Sequence, residues 1–498
     1  MRYGFRHEQA TPGQSCFRNL AAREQHVMKT SRHLFRRHLA CALLLVIAAS
    51  SALGAPYISV ADYPSINEAI AQNPGRRLFV PAGHHILTNA VVLNADDTEL
   101  EGPGALVQSN PAAAVIEVRA HRVRLRDLTL TRPAGNAETE RDAVQATDAD
   151  FLRVENLRIH DNHSSGASVR LKNCRFARVE RCIIEDYKRV TIDDRTANAL
   201  YGYAFRCLDG NGVIIQGGRG NWILDNHIIE HRLLPTRENK ERHQLGDLTE
   251  GRQPTQFGEL GRALEKSRFA RNWHQGSAIV VTGPEETDFT RVAGNYLENC
   301  AQGIDLHCDR ALVTHNTVNG GMIGIKAMHG SQHLVISENL LNRVDLWGIM
   351  VGPGAASHHA EPAAEGKAAR PANTDGAARI VGNVISDYGY GNEYWNWGGD
   401  TGVSGSFAIR IDRGQIASNP PISDVLVQGN IVSDPGKDGV LVDGKLTNPK
   451  PHYRYAFYVE LPKPGEPDGR YPKRIHVLDN LFDPGIDGAA NVPLPYQK

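Results

Sequence analysis

Cysteine, methionine and tryptophan are scarce in this 498-residue chain, which holds 7, 5 and 5 of them. The five cysteines beyond residue 54 are Cys174, Cys182, Cys207, Cys300 and Cys308, an odd number that excludes complete pairing within one chain. Their spacing matches no zinc pattern, so stacked buried thiols are expected and no metal site is assigned. An excess of one charge is also missing: the formal net charge is −1. That balance argues against a nucleic-acid partner held through its phosphates. No phosphate-cradling loop, serine-triad motif or metalloprotease helix occurs, and the many glycines mark turns. The one long apolar run, Leu39 to Ala49, is too short for a comfortable membrane span, so no stable membrane insertion is expected.

That run belongs to an export signal. Met28 opens a segment carrying Lys29, Arg32, Arg36 and Arg37, and the apolar run follows. Ala52 and Gly54 then stand at the spacing of a signal-peptidase site. Residues 1–54 thus read as an upstream piece plus a signal over 28–54, and residues 55–498 as the secreted or periplasmic domain.

What the chain has in abundance is a repeat. A strand of the form Gly/Ala–apolar–x–apolar–x recurs from Gly212, Ala278, Gly303, Gly324, Gly348, Ala408 and Gly439. Between these strands an Asn with apolar neighbours returns at Asn226, Asn295, Asn316, Asn339, Asn383, Asn430 and Asn480. Where no insertion intervenes the period is about 21 to 25 residues, one coil of a β-solenoid. Strands of period two bury one face, and no coil can cover its apolar side alone, so coils must stack. The Asn, tolerant of left-handed backbone, is expected at the turn and bonded to its counterpart in the next coil. Ser65-Ile66-Asn67-Glu68 reads as a capping box whose helix, with Ile66, Ala69 and Ile70 on one face, closes the first coil.

Residues 60–107 add a Pro81-Ala82-Gly83 strand end and a Gly102-Pro103-Gly104 strand end. This opening resembles the pectate-lyase-like superfamily. The resemblance implies an all-β fold, a single-stranded right-handed parallel β-helix, shared by lyases, epimerases, hydrolases and phage tailspikes.

Three insertions break the coils. Residues 232–275 are strongly charged, with a helix expected around Gly258 to Ser267. Residues 355–378 are rich in Ala, Pro and Gly and read as a mobile loop. Residues 388–406 concentrate aromatics, among them Tyr394, Trp395 and Trp397, whose faces can stack on sugar rings or pack the loop onto the coil.

Aligning the recurring strands gives two outward columns. The first is Ile214, Val280, Asp305, Lys326, Met350, Arg410 and Leu441; the second is Gln216, Thr282, His307, Met328, Gly352, Asp412 and Asp443. Asp305 and Lys326 then lie about 5 Å apart on adjacent coils, with His307 about 7 Å along the strand. Asp309 and His329 sit at the strand ends, and Arg410 and Asp412 three coils away, on the order of 14 Å. A carboxylate, an imidazole and an ammonium on one outer face can do acid–base work. They can equally form a ladder of solvated charges that protects the sheet. On an acidic sugar, a cation neutralises the uronate carboxylate and a base removes the C5 proton. Substituting His307 or Lys326 is accordingly expected to abolish turnover with little loss of stability.

Asp305-Leu306-His307-Cys308-Asp309 is similar to the Asp-Pro-His-Asp/Glu motif of the alginate C5-epimerases, with Leu306 in place of Pro and the second acid shifted to Asp309. The resemblance implies that Asp305 and His307 act at a uronate C5. Polygalacturonase-type hydrolases offer a rival pairing, Asp193-Asp194 with Ile325-Lys326, but their Asn-Thr-Asp and Gly-His-Gly segments are missing. A third alternative is a periplasmic β-helix that binds or guides a carbohydrate polymer without reaction. Calcium (Ca2+) can bridge Asp305 or Asp412 to a uronate, although no acid-rich loop provides a dedicated site.

Overall fold

A computed structural model describes residues 57–135, 138–249, 256–387, 406–433, 440–442, 445–447, 451, 453–465 and 469–497. The segment read as an export signal, the aromatic insertion with Tyr394, Trp395 and Trp397, and Asp443 lie outside the described residues.

The repeating Asn sets the frame. Each Asn side chain donates to the next across six successive steps, from Asn226 to Asn295 (2.9 Å), Asn316 (2.8 Å), Asn339 (3.0 Å), Asn383 (2.9 Å), Asn430 (2.9 Å) and Asn480 (2.9 Å). The left-handed residue is not the Asn but its predecessor: Asp225, Gly294, His315, Glu338, Gly382, Gly429 and Asp479 all have positive φ. The predecessor makes the reversal, which leaves the Asn side chain free to point inward and satisfy main-chain groups of neighbouring coils.

Short strands before each corner, such as Arg178–Glu180, Trp222–Leu224 and Arg291–Ala293, join a 14-stranded sheet, and the strands after it join a sheet of 21. Pairing between coils is parallel. One inward column runs Val213, Ile279, Ile304, Ile325, Ile349, Ile409 and Phe457, every member fully buried. Stacked branched side chains of this kind are what hold a solenoid together. The five free cysteines join this interior or the small core beside it, and burial pushes the Cys182 thiol up to about 12. The helix Ile66–Gln72 caps the first coil as expected, with Ser65 accepting from the Glu68 N–H and Ile66, Ala69 and Ile70 buried.

Two insertions differ from expectation. In residues 232–275 the α-helix is Arg237–His243, begun by Thr236, whereas the stretch around Gly258 to Ser267 contains only the 3-10 turn Arg262–Leu264. A side-chain cap decides this: Thr236 accepts from the Asn239 N–H, whereas Gly261 has no side chain to do so. Residues 355–378 are not an irregular loop but an antiparallel arm, with bridges His358–Asn373, Glu361–Arg370 and Ala364–Lys367. Backbone pairing organises the small residues, and Glu285 grips the arm through Arg370 (2.6 Å) and His358 (3.5 Å).

Candidate active site

The first outward column is in register as Ile214, Val280, Asp305, Lys326, Met350 and Arg410, but its next member is Tyr458 rather than Leu441. Leu441 belongs instead to an antiparallel hairpin, Val440–Val442 with Lys445–Thr447. In the same register Glu460 follows Asp412, the position expected for Asp443.

Asp305 is not exposed as the sequence suggested. It is 6% accessible, and its charge is met at close range. Lys326 Nζ lies 3.1 Å from Oδ2, and His307 Nε2 lies 3.0 Å from Oδ1. The second contact is an ion-pair approach without well-directed hydrogen-bond geometry. Burial alone would raise the Asp305 pKa, but the charges of His307 and Lys326 outweigh it and hold the carboxyl well below its usual range. His307 Nδ1 faces Thr282 Oγ1 at 3.2 Å.

His329 packs edge-to-face on His307 with ring centroids 4.3 Å apart. Burial, then the charges of His307 and Lys326, pushes its pKa down to about 3, so the ring is neutral near pH 7. Nδ1 accepts the Ala356 N–H at 3.2 Å, which assigns the proton to Nε2. The arm therefore reaches the site through its base: Ala356 fixes the tautomer, and the Asn373 amide donates to the His329 carbonyl at 2.9 Å.

Lys326 and His329 line a cavity of about 500 Å³. Tyr201, Tyr203, Trp347 and Arg410 are among its other walls, and the lining includes no carboxylate. Arg410 sits over the rings of Trp347 (5.1 Å), Phe407 (5.4 Å) and Tyr458 (5.8 Å). Its Nη2 is 2.7 Å from Asp412 Oδ2. Asp309 is not part of this cluster: with Arg310 and Asp288 it lines a separate cavity of about 290 Å³, because the chain turns outward after Cys308. Asp193 and Asp194 line another, of about 590 Å³, where Arg195 binds both Asp193 and Asp209.

Sequence patterning missed Trp347 and Phe407. They share a third column, Ser277, Gln302, Ile323, Trp347, Phe407 and Tyr455, three residues before the first. The signal was present as the residue just ahead of each recurring Gly or Ala. Tyr201 and Tyr203 had no such signal, since they come from the loop between the antiparallel strands Arg189–Asp193 and Phe205–Asp209.

Among the described residues no group of three or more His, Cys, Asp or Glu is arranged to hold a metal ion. The two carboxylates considered for calcium do not fit one, since Asp305 is held by Lys326 and His307, and Asp412 by Arg410. A calcium ion at either would have to displace an internal cation.

Asp375 anchors the base of the arm. Its Oδ1 accepts the Gly330 and Ser331 N–H groups at 3.0 and 3.1 Å, and Ser357 Oγ donates to Oδ2 at 2.5 Å. Burial raises its pKa to about 7. Between the ordinary aspartate range and about pH 7 the folded chain thus keeps a proton that the unfolded chain has lost, so stability falls as pH rises through that window. Thermal unfolding followed from pH 5 to 8 should show this decline in the native protein and a flatter profile in Asp375→Asn. An unchanged profile would assign the titration to another group.

Residues 142–341 match the family described as right handed beta helix region. The fold is a right-handed parallel β-helix. The chain is also similar to three solved β-helical structures. The Dettilon tailspike protein shares 11% identity over 88% of this chain and 65% of its own, with a TM-score of 0.43. A family 28 exopolygalacturonase of Yersinia enterocolitica shares 10% over 87% of this chain and 79% of its own, TM-score 0.48. The A-module of a mannuronan C-5 epimerase of Azotobacter vinelandii shares 11% over 88% and 98%, TM-score 0.44. The likeness is one of fold, and this β-helix spans just under two thirds of the tailspike. No curated protein matches the sequence.

Proposed function

We propose that this β-helix is an exported polysaccharide-active enzyme that works on an acidic polymer, with uronate lyase or C5-epimerase chemistry ahead of hydrolysis. One observation carries this: the charged side chains lining the cavity are cations, Lys326 and Arg410, with Trp347 and two tyrosines beside them and no carboxylate. Such a lining complements a uronate, whose carboxylate needs a counter-charge and whose ring face needs an apolar surface.

The roles follow from the geometry. Lys326, paired with Asp305, neutralises the uronate carboxylate and the negative charge that develops when C5 loses its proton. His307, its Nε2 turned to Asp305, acts as base through Nδ1 once that nitrogen has lost its proton and released Thr282. His329, neutral with its proton on Nε2, gives that proton to the departing O4 as the C4–O4 bond breaks in elimination, or to the opposite face of C5 in epimerisation. Arg410, stacked on Trp347, holds a further sugar unit. Hydrolysis ranks lower because two carboxyls must flank the scissile bond and none lines this cavity.

Incubating residues 55–498 with polygalacturonate, alginate and neutral glucans, with and without calcium, tests the proposal. A lyase yields unsaturated products that absorb in the near ultraviolet, and an epimerase exchanges the C5 hydrogen with solvent. New reducing ends without absorbance would establish hydrolysis instead. Binding with none of the three signals would make the protein a non-catalytic guide for the polymer.

A further inference from the structure

We propose a second carbohydrate site, a strip of exposed phenylalanines and uncompensated arginines along one turn of the helix, which binds an acidic polysaccharide away from the cavity. Phe151, Phe176 and Phe289 occupy equivalent positions at the turn that precedes the short strands of the 14-stranded sheet. They are 52%, 48% and 48% exposed, and each has left-handed backbone, with φ of 58°, 58° and 54°. A bulky residue seldom adopts that conformation, and each ring still leaves about half of its surface in water.

The rings are organised. Phe151 and Phe176 stack with centroids 5.3 Å apart. The next coil has Gly220 at this position, where a Cβ would stand 2.7 Å from the Phe176 ring. The Phe176 ring lies over that glycine, and Phe289 follows two coils from Phe176, about 10 Å away. Arg219 lies over Phe289 at 5.3 Å and Arg310 approaches its ring at 5.2 Å. On the adjoining sheet face Arg178 and Arg291 flank Trp222 at 4.1 and 5.9 Å.

The charge pattern selects the ligand. Arg310 is paired with Asp288, whereas among the described residues Arg178, Arg219 and Arg291 have aromatic partners and no carboxylate within ion-pair distance, Arg219 sharing a cavity with Glu285, Glu286, Asp288 and Asp309. Elsewhere on these sheets arginines meet acids, as Arg124 meets Glu155 and Arg175 meets Asp150. Flat apolar faces alternating with free guanidinium groups fit a chain of rings that carries anionic groups. That this chain is a polysaccharide rests on the function proposed above.

Binding of dextran sulfate, polygalacturonate and neutral dextran to the whole mature protein, measured by calorimetry at low and raised salt, tests the strip. Phe176→Asn with Phe289→Asn removes the rings while keeping a residue that tolerates left-handed backbone. Affinity for dextran sulfate should fall about tenfold in this variant and similarly in Arg219→Glu, while neutral dextran binds neither protein. Asp305→Asn with Lys326→Met, which strands no buried charge, should leave this binding intact. Undiminished affinity in both strip variants overturns the proposal, as does a concentration-dependent dimer of the native protein that the variants abolish in place of polymer binding. Ring-dependent binding without turnover of any polysaccharide would sink the cavity's assignment and leave the strip. Turnover with ring-independent binding would do the reverse.

Discussion

Lys326→Ala should lower turnover of the acidic polymer by about 10²- to 10³-fold, the usual loss when a charge aimed at a developing anion is removed. The sequence alone suggested that this would cost little stability. The structure overturns that expectation, because Asp305 is buried and Lys326 is one of its two counter-charges. Removing one partner of a buried pair strands the other, at about 3–5 kcal/mol. A paired substitution separates the two effects. Asp305→Asn with Lys326→Met leaves a neutral pair of similar volume, so urea unfolding should recover most of the lost stability. Turnover should stay at the Lys326→Ala level. Recovery of activity in the double variant would show that the ammonium serves only to neutralise Asp305, and the proposed chemistry would fall.

Asn316→Ala should destabilise the helix by about 3 kcal/mol or more, measured by urea unfolding. The Asn316 carboxamide oxygen accepts both the main-chain and side-chain N–H of Asn295, and its amide donates to Val292, Thr314 and Asn339. Alanine leaves buried donors and acceptors on three coils without partners, and no water reaches them to compensate. Asn480 ends the ladder and is only partly buried, so Asn480→Ala should cost about 1 kcal/mol. Equal effects at the two positions would mean that the ladder contributes nothing beyond one hydrogen bond per coil.

Much of the architecture was legible because a solenoid repeats its own signal. A Gly before alternating apolar residues recurs often enough for register to be read by alignment, and Asp305 and Lys326 are indeed neighbours across one rung. Legibility failed where the period broke. Leu441 and Asp443 carry the same local pattern as the earlier strands, yet the rung is filled by Tyr458 and Glu460 after an intervening hairpin. Local alternation cannot say which of two candidate strands stacks, since that depends on how much chain the insertion consumes. The arm of residues 355–378 failed for a related reason: its small residues carry no apolar period, and its backbone pairs and the grip of Glu285 come from distant sequence.

The amino-acid order by itself determined the coil period, the helical cap and the residues that face outward, because these depend on alternation and on side-chain chemistry within one coil. Only tertiary structure decided which outward residues stay in water. Asp305 is buried against Lys326 and His307, the base of the arm holds His329 in one tautomer, and the loop between the strands Arg189–Asp193 and Phe205–Asp209 supplies Tyr201 and Tyr203. These contacts arise from stacking and loop return rather than from local pattern.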